Sequence, residues 1–591
     1  MSSVPDTSPA RSVSEPAQTA LPIRLTRPRD TVHARLPDGR IYEAPPGTPL
    51  GAILRVAAEQ DGRASHVPVV AAIVDGRLRE LQTPLTGDAD VTPVLVTDGD
   101  GARIYRRSLA FLLVTAASEV FPEAEVMIEH SAPTVGGYFC SVRGRAAFSR
   151  ADLRTLEDRM RAIVAADHPI VKSIVPVSEA TRLFQDRGEL DKARLLAHRR
   201  RDTLVLYELR GRRDYFQGYM VPSAGCLRGL ALEWFTAGFL LCFPHQARPL
   251  EVAHVEPYPK LFEVFEEAGE WLDKLGIRNA GALNDAIQEG RLQEISLVAE
   301  ALHEARIAKI ASEIVAADDR IRVVLIAGPS SSGKTTFSKR LAVQLLAGGR
   351  HPFPVALDDY FLDRERTPRD EHGEIDFEAL DALDVPLFNE HLLSLMAGRT
   401  TTLPRYSFVL GQREPGQTVT LTRDHVIIVE GIHGLNPALV PDLPRESVYR
   451  VYVSALTQLN LDRHNRVSTA DSRLVRRIVR DAATRGYTAA DTIRRWPSVQ
   501  RGEKQHIFPY QEHSDAIFNS SLVHELAVLR SAAEPLLLQV RQEAPQYVEA
   551  NRLLSFLQWF RAAPADPVPD NSILREFIGN SILENLRVWS R

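Results

Sequence analysis

Gly328-Pro329-Ser330-Ser331-Ser332-Gly333-Lys334-Thr335-Thr336 stands directly after the apolar run VVLIA (323–327) and before FSKRLAVQLLA (337–347). The order is strand, glycine-bounded loop, helix, and the spacing is GxxxxGK[ST]. The chemistry needs that order. Glycines let successive backbone N–H groups turn inward around phosphate oxygens, and the helix N-terminus adds its partial positive charge. Lys334 is placed to reach the outer phosphates, and the Thr335 hydroxyl to ligate Mg²⁺. All nine residues are expected to line a nucleotide phosphate site, with ATP and Mg²⁺ as cofactors.

The neighbouring segments extend this reading. VVLIAG and HVIIVEG are continuous apolar runs that reach glycine, as buried parallel strands do. FPVALDD (353–359) is expected to be a strand ending in Asp358 and Asp359. A carboxylate at a strand's C-terminal end beside a phosphate loop can take a proton from an acceptor hydroxyl, the role expected of Asp358. Glu430 ends the next apolar strand, where an acid holds magnesium directly or through water. Downstream, DSRLVRRIVRDAATRGY (471–487) concentrates Arg473, Arg476, Arg477, Arg480 and Arg485 on a helix and its exit. Arginines stacked at i,i+4 repel one another unless anions compensate them. They predict either a solvated face paired with Asp471 and Asp481, or a lid that closes over phosphates and neutralises transition-state charge.

The rest of the chain is organised around that region. Its 591 residues are 44% hydrophobic and 25% charged, an ordinary globular composition, with a formal net charge of −5 that argues weakly against a whole-chain nucleic-acid footprint. Residues 1–30 are rich in Ser, Pro and Thr without the apolar core of a secretory signal, and read as a disordered tail. The pattern then predicts a small β-rich unit over 31–97, a second α+β unit over 98–250 and a helical connector over 251–318. A doubly wound α/β unit over 319–530 and a helical extension over 531–591 complete it. No segment is apolar for the length of a membrane span. The three cysteines, Cys140, Cys226 and Cys242, have neither zinc spacing nor the number for a disulfide framework, which points to a cytoplasmic compartment. The basic stretch from Arg194 to Arg213 reads as a solvated helix end and hairpin rather than an RNA patch. The segment SILREFIGNS (572–581) reads as a docking segment, and leaves homo-oligomerisation open.

Residues 320–525 resemble the uridine kinase and phosphoribulokinase family of P-loop kinases, in the order GPSSSGKTT, LDDYF, IDFEALDAL, LPRYSFVLGQR, IIVEGI and RRIVRDAATRG. The resemblance implies a catalytic base at Asp358 and a magnesium-assisting acid at Glu430. It also implies a ribose-binding acid at Glu378, an acceptor-side tyrosine at Tyr406, and phosphate-facing arginines at Arg477, Arg480 and Arg485. The sequence departs from the family at Ser407, where an acid is usual, at Gly411, where a pyrimidine-reading histidine is expected, and at Tyr487, where an arginine is. Phosphate and magnesium chemistry therefore carry over, and pyrimidine recognition does not. The implied acceptor is a small hydroxylated molecule, a nucleoside by default. A sugar phosphate or pantothenate-like alcohol, and an ATP-switched regulator bound to RNA or the ribosome, stay open.

The first 250 residues resemble the N-terminal half of threonyl-tRNA synthetase: 31–97 its β-grasp-like TGS domain, 98–250 the editing domain that follows. The editing motifs of that family fall on Arg107-Ser108-Leu109-Ala110-Phe111-Leu112 and on Asp214-Tyr215-Phe216-Gln217-Gly218-Tyr219-Met220. The four chemical positions are Arg107, Phe111, Phe216 and Met220, none of which suits hydrolytic editing or a metal. The resemblance implies a retained shape with lost chemistry. RNA binding by this half is left open without support.

Overall fold

The computed structural model describes residues 29–60, 67–132, 136–235, 237–245, 248–252, 256–317, 320–369, 373, 375–407, 410–457 and 459–586. All but the last two residues of the expected N-terminal tail lie outside this set.

A five-stranded mixed sheet opens the chain, in the order Ile41–Ala44, Val32–Arg35, Ala89–Leu95, Val69–Val74, Arg77–Glu80. Val32–Arg35 runs parallel to Ala89–Leu95, while the other pairs are antiparallel. The helix Leu50–Gln60 buries Leu50, Ile53, Leu54 and Ala57, the i, i+3, i+4, i+7 stripe of a helix lying on a sheet. The next unit places helices Gly99–Val120 and Arg150–Ala165 against a four-stranded antiparallel sheet. The second of these helices starts at a capping box in which Ser149 and Asp152 bond each other's backbone N–H. Within the basic stretch, helix Leu190–Ala197 ends and a hairpin of Thr203–Leu209 with Arg212–Asp214 follows, as the turn signals predict.

The phosphate-loop unit is a five-stranded, wholly parallel sheet in the order His351–Ala356, His425–Glu430, Val323–Ala327, Val448–Ser454, Ala516–Asn519. Every residue of Val323–Ala327 is buried, which explains an apolar run without alternation. One expected feature differs. The strand ends at Ala356, and Leu357–Tyr360 forms a 3₁₀ turn, so Asp358 and Asp359 sit on that turn rather than on a pleat.

The hydrophobic cores run across the sequence segments. One continuous cluster joins Phe184, Leu195 and Leu206 to Leu283, Ile307 and Ile326, and on to Leu553 and Phe577. A second joins Phe139 and Leu240 through Tyr258 and Phe262 to Ala327 and Tyr452. Polar contacts seal the same seam. Asn460 donates to the carbonyls of Ile128 and Glu129 at 3.0 and 2.9 Å, and buried Lys192 bridges Asp214 and His464. Among the described residues no helix is long and apolar enough to cross a membrane.

Candidate active site

The phosphate loop has the shape its glycines require. A Cβ at Gly328 would stand 1.9 Å from the carbonyl oxygen of Val453, so no side chain fits where the loop crosses the neighbouring strand. Gly333 has φ +83, and a Cβ there would meet Ile573 at 2.5 Å. The helix Lys334–Ala347 starts immediately after it. Lys334 folds back over the loop, its Nζ donating to the carbonyls of Gly328 and Pro329 at 3.0 and 3.2 Å. The buried hydroxyls of Ser331 and Ser332 have no hydrogen-bond partner among the described residues, an unusual state for buried polar atoms and one that phosphate oxygens would relieve.

Three carboxylates from separate segments, Glu430, Asp358 and Glu378, feel the charge of Lys334. Glu430 accepts from the Thr335 hydroxyl at 2.8 Å, so the two groups expected to share a magnesium ion already adjoin, and a half-buried carboxylate beside a hydroxyl is a donor set that suits it. Burial raises the Glu430 carboxyl above its ordinary range, with Lys334 opposing. Asp358 is exposed on the 3₁₀ turn that follows strand His351–Ala356. Its carboxyl is also raised, first by desolvation, with Lys334 and Arg485 pulling it back. Glu378 packs against the backbone of Gly502 and is pushed up to about 7 by desolvation and by Glu503, against the pull of Arg477 and Lys334. The ammonium of Lys334 is held below its usual range by burial, with Glu430 foremost among the groups opposing this. Shifted groups of opposite sign in one cleft mark a site built for chemistry rather than solvation.

Asp359 turns the other way. Its Oδ1 accepts the backbone N–H of Tyr406 at 3.1 Å, tying the turn to the ribbon strand Thr401–Ser407. Tyr406 is buried, its ring 5.7 Å edge-on to Phe361. Gly411 closes the ribbon at φ +73, and the guanidinium of Arg364 fills the space a side chain would need, 2.8–2.9 Å from an ideal Cβ.

The arginine helix Thr469–Thr484 divides its cations between two tasks. Arg473 and Arg476 are not lid groups. Both are buried, Arg473 in a two-pronged pair with Glu503 and Arg476 against Glu525, and they hold the carbonyls of Ser330 and Ser331. Arg477 reaches the Ser330 hydroxyl at 2.7 Å, and with Arg480 and Arg485 it shares the single buried carboxylate of Asp481. Three cations on one anion leave net positive charge facing the loop, as a phosphate-closing group requires. Asp471, expected to pair on this helix, instead pairs with Arg552 of a C-terminal helix.

Two acids that motif reading passed over contact the loop. Glu503 accepts the Ser330 N–H at 2.9 Å, and Glu576 accepts both the N–H and the hydroxyl of Thr336 at 3.2 and 2.8 Å. Glu503 has no motif around it. Glu576 belongs to the expected docking segment, which lies on its own chain's phosphate-loop helix. His433 is buried with its ring 5.4 Å from that of His506, and burial lowers it to about 4.

At the four editing positions the structure has Phe111 and Phe216 in tilted ring contact at 5.3 Å, and Met220 buried with its sulfur 3.3 Å from the Ser108 hydroxyl. Arg107 donates to the carbonyl of Tyr219. Burial holds the thiols of Cys140 and Cys242 above the ordinary range.

Two threonine–tRNA ligases are similar: that of Halorhodospira halophila is 32% identical over 201 residues, 33% of this chain and 30% of the relative, and that of Symbiobacterium thermophilum is 30% identical over 202 residues, 34% and 30% respectively. The chain thus spans under a third of the length of these relatives. A solved chain described as "a Possible Uridine Kinase from Bacillus stearothermophilus" is 27% identical, over 25% of this chain and 79% of that one, at a TM-score of 0.21. Residues 323–527 match the model of the Phosphoribulokinase / Uridine kinase family. The chain therefore carries a phosphoribulokinase/uridine kinase-type region in its C-terminal half, joined to an N-terminal third similar to threonine–tRNA ligases.

Proposed function

We propose that the chain is an ATP-dependent kinase that transfers the γ-phosphate to a hydroxyl of a small acceptor, a nucleoside in the first instance. The observation that carries this reading is a phosphate loop in which Lys334 folds over the Gly328 and Pro329 carbonyls, the Ser331 and Ser332 hydroxyls lack partners among the described residues, and Glu430 accepts from the Thr335 hydroxyl. Asp358 accepts the proton that the acceptor hydroxyl loses as it attacks. Thr335 and Glu430 would hold Mg²⁺, which supplies charge neutralisation between the phosphates. Lys334 leaves the loop carbonyls to reach the phosphates, joined by Arg477, Arg480 and Arg485 from the lid. Glu378 and Tyr406 face the acceptor. The N-terminal third is proposed to keep the shape of the synthetase TGS and editing domains without their chemistry, in a cytoplasmic protein.

A second acceptor class is favoured by one observation. Arg364 stands where the family places a base-reading histidine, and a guanidinium there suits an acceptor with its own negative charge, such as a sugar phosphate. Release of ADP by the full chain with Mg-ATP, across nucleosides, sugar phosphates and pantothenate-like acids, tests both readings. Turnover with uridine or cytidine supports the first, and turnover confined to phosphorylated acceptors supports the second. ATP turnover that no acceptor accelerates and that survives Asp358→Asn would overturn both.

A further inference from the structure

Between the N-terminal units and the back of the lid lies a cavity of about 850 Å³, bounded on the lid side by Ser468, Asp471 and Trp496. That volume falls within the roughly 300–1,000 Å³ of small-molecule sites. Its wall carries two kinds of arginine. Arg103 and Arg552 are neutralised by Asp100, Glu549 and Asp471. Arg106, Arg107, Arg199 and Arg466, like Arg77, Arg79, Arg200 and Arg201 on the same wall, have no carboxylate partner among the described residues. Arg107 and Arg466 donate only to backbone carbonyls, of Tyr219 and Val467, and Arg199 to that of Thr203. Arg106 rests over the ring of Phe243, 5.5 Å from its centroid, and takes the repulsion of Arg466 and Arg103. Desolvation holds Arg106, Arg107 and Arg199 below the usual arginine range. Cations gathered in a recess without counter-charge are costly, and a fold retains them where an anion completes them.

The same wall offers aromatic faces. Arg466 lies 5.2 Å over Tyr138, and Arg199 lies 5.0 Å over Trp559. We infer that this cavity is a second ligand site, distinct from the phosphate loop, for a free nucleotide bearing two or more phosphates. Arg106, Arg107, Arg199 and Arg466, the ones packed on rings or held to backbone carbonyls, present about four positive charges, which a nucleoside triphosphate matches in one molecule. An RNA terminus brings one charge per nucleotide and would place a single nucleotide in this volume. Inorganic polyphosphate has the charge but nothing for Tyr138 and Trp559 to stack on. The back of the lid links the two sites, because Trp496 lines the cavity and supports Arg473, which holds the Ser330 carbonyl.

Equilibrium dialysis of the full chain with labelled ATP and GTP tests the site. Two nucleotides per chain are expected for the parent, and one for Lys334→Ala, in which the loop site is disabled. In Arg106→Gln/Arg466→Gln the loop site should remain, and the second should weaken roughly tenfold to hundredfold. Thermal melting supplies a readout independent of activity. ATP added to Lys334→Ala should raise the midpoint, whereas Lys334→Ala/Arg106→Gln should melt no lower than Lys334→Ala without ligand and need a markedly higher ATP concentration for the same rise. Should the Arg106 variants fail to fold, Arg466→Gln and Arg199→Gln carry the same comparison. One nucleotide per chain in the parent, or a second site indifferent to these arginines, would overturn the inference. So would tripolyphosphate binding as tightly as ATP, or an RNA 3′ end that ATP does not displace.

Discussion

Asp358→Asn removes a negative charge and a proton acceptor while keeping the side chain's size. In the structure the carboxylate stands on the 3₁₀ turn, its carboxyl raised by desolvation and drawn down by Lys334 and Arg485. A positioned general base typically contributes about 10²- to 10⁴-fold, or roughly 2.7–5.4 kcal/mol of barrier. The expected loss in kcat lies in that range. Nucleotide affinity should stay within about threefold, because the loop amides, Lys334 and the lid arginines hold ATP and none depends on Asp358. Asp359→Asn is the control. Among the described residues its carboxylate accepts only the Tyr406 N–H, and an asparagine carbonyl still can, so the substitution costs about 0.5–1.5 kcal/mol of stability and little turnover. Turnover by ADP release and nucleotide binding by calorimetry, on both variants, decide the matter. Equal sensitivity of the two, or a fall in affinity that matches the fall in kcat, would refute the general-base assignment.

Three further outcomes are expected. Lys334→Ala and Thr335→Ala should each lower ATP turnover by at least about a hundredfold while the protein stays folded by circular dichroism, and normal turnover in either excludes this loop as the catalytic site. Glu378 holds its proton to about pH 7, where an unfolded chain releases it near the ordinary 4.5. The native state therefore binds more protons in that window, and this residue's contribution to stability falls as pH rises through it. Glu378→Gln should match the parent near pH 4.5 and exceed it by about 1–3 kcal/mol at pH 8, and denaturant melts showing no such divergence remove the raised carboxyl from the account. The N-terminal third should contain no stoichiometric zinc by elemental analysis and should not deacylate seryl-tRNA, since Arg107, Phe111, Phe216 and Met220 supply no metal ligand of the usual kind; either activity would reverse that reading.

The parallel sheet and the phosphate loop were legible because their signals are local: an apolar run that reaches glycine, then a loop whose spacing only one chain path satisfies. Asp358 and Glu430 were legible by position, although the pleat expected to separate Asp358 from Asp359 proved to be a 3₁₀ turn. The arginine helix was half legible. Its charge pattern announced the pairing with Asp481, which holds for Arg477, Arg480 and Arg485, but the anions of Arg473 and Arg476 are Glu503 and Glu525, and no spacing rule selects a partner 30 or 49 residues away. Glu576, 240 residues from Thr336, lay further still beyond sequence pattern. The basic stretch near Arg199 read as a solvated surface because the wall facing it, at Arg466 and Trp559, is assembled only by the fold.

That wide separation between Thr336 and Glu576 has a consequence for the order in which the molecule is made. The first turn of the phosphate-loop helix finds its acceptor, and Gly333 its apolar cover at Ile573, only once the ribosome has synthesised some 240 further residues. At roughly 5–20 residues per second, that is about ten to fifty seconds. Until then the N–H and hydroxyl of Thr336 lack their acceptor and Gly333 lacks the cover of Ile573. The nucleotide site is thus among the last parts of the chain to mature, and a nascent chain short of Glu576 has the loop's sequence without its finished shape.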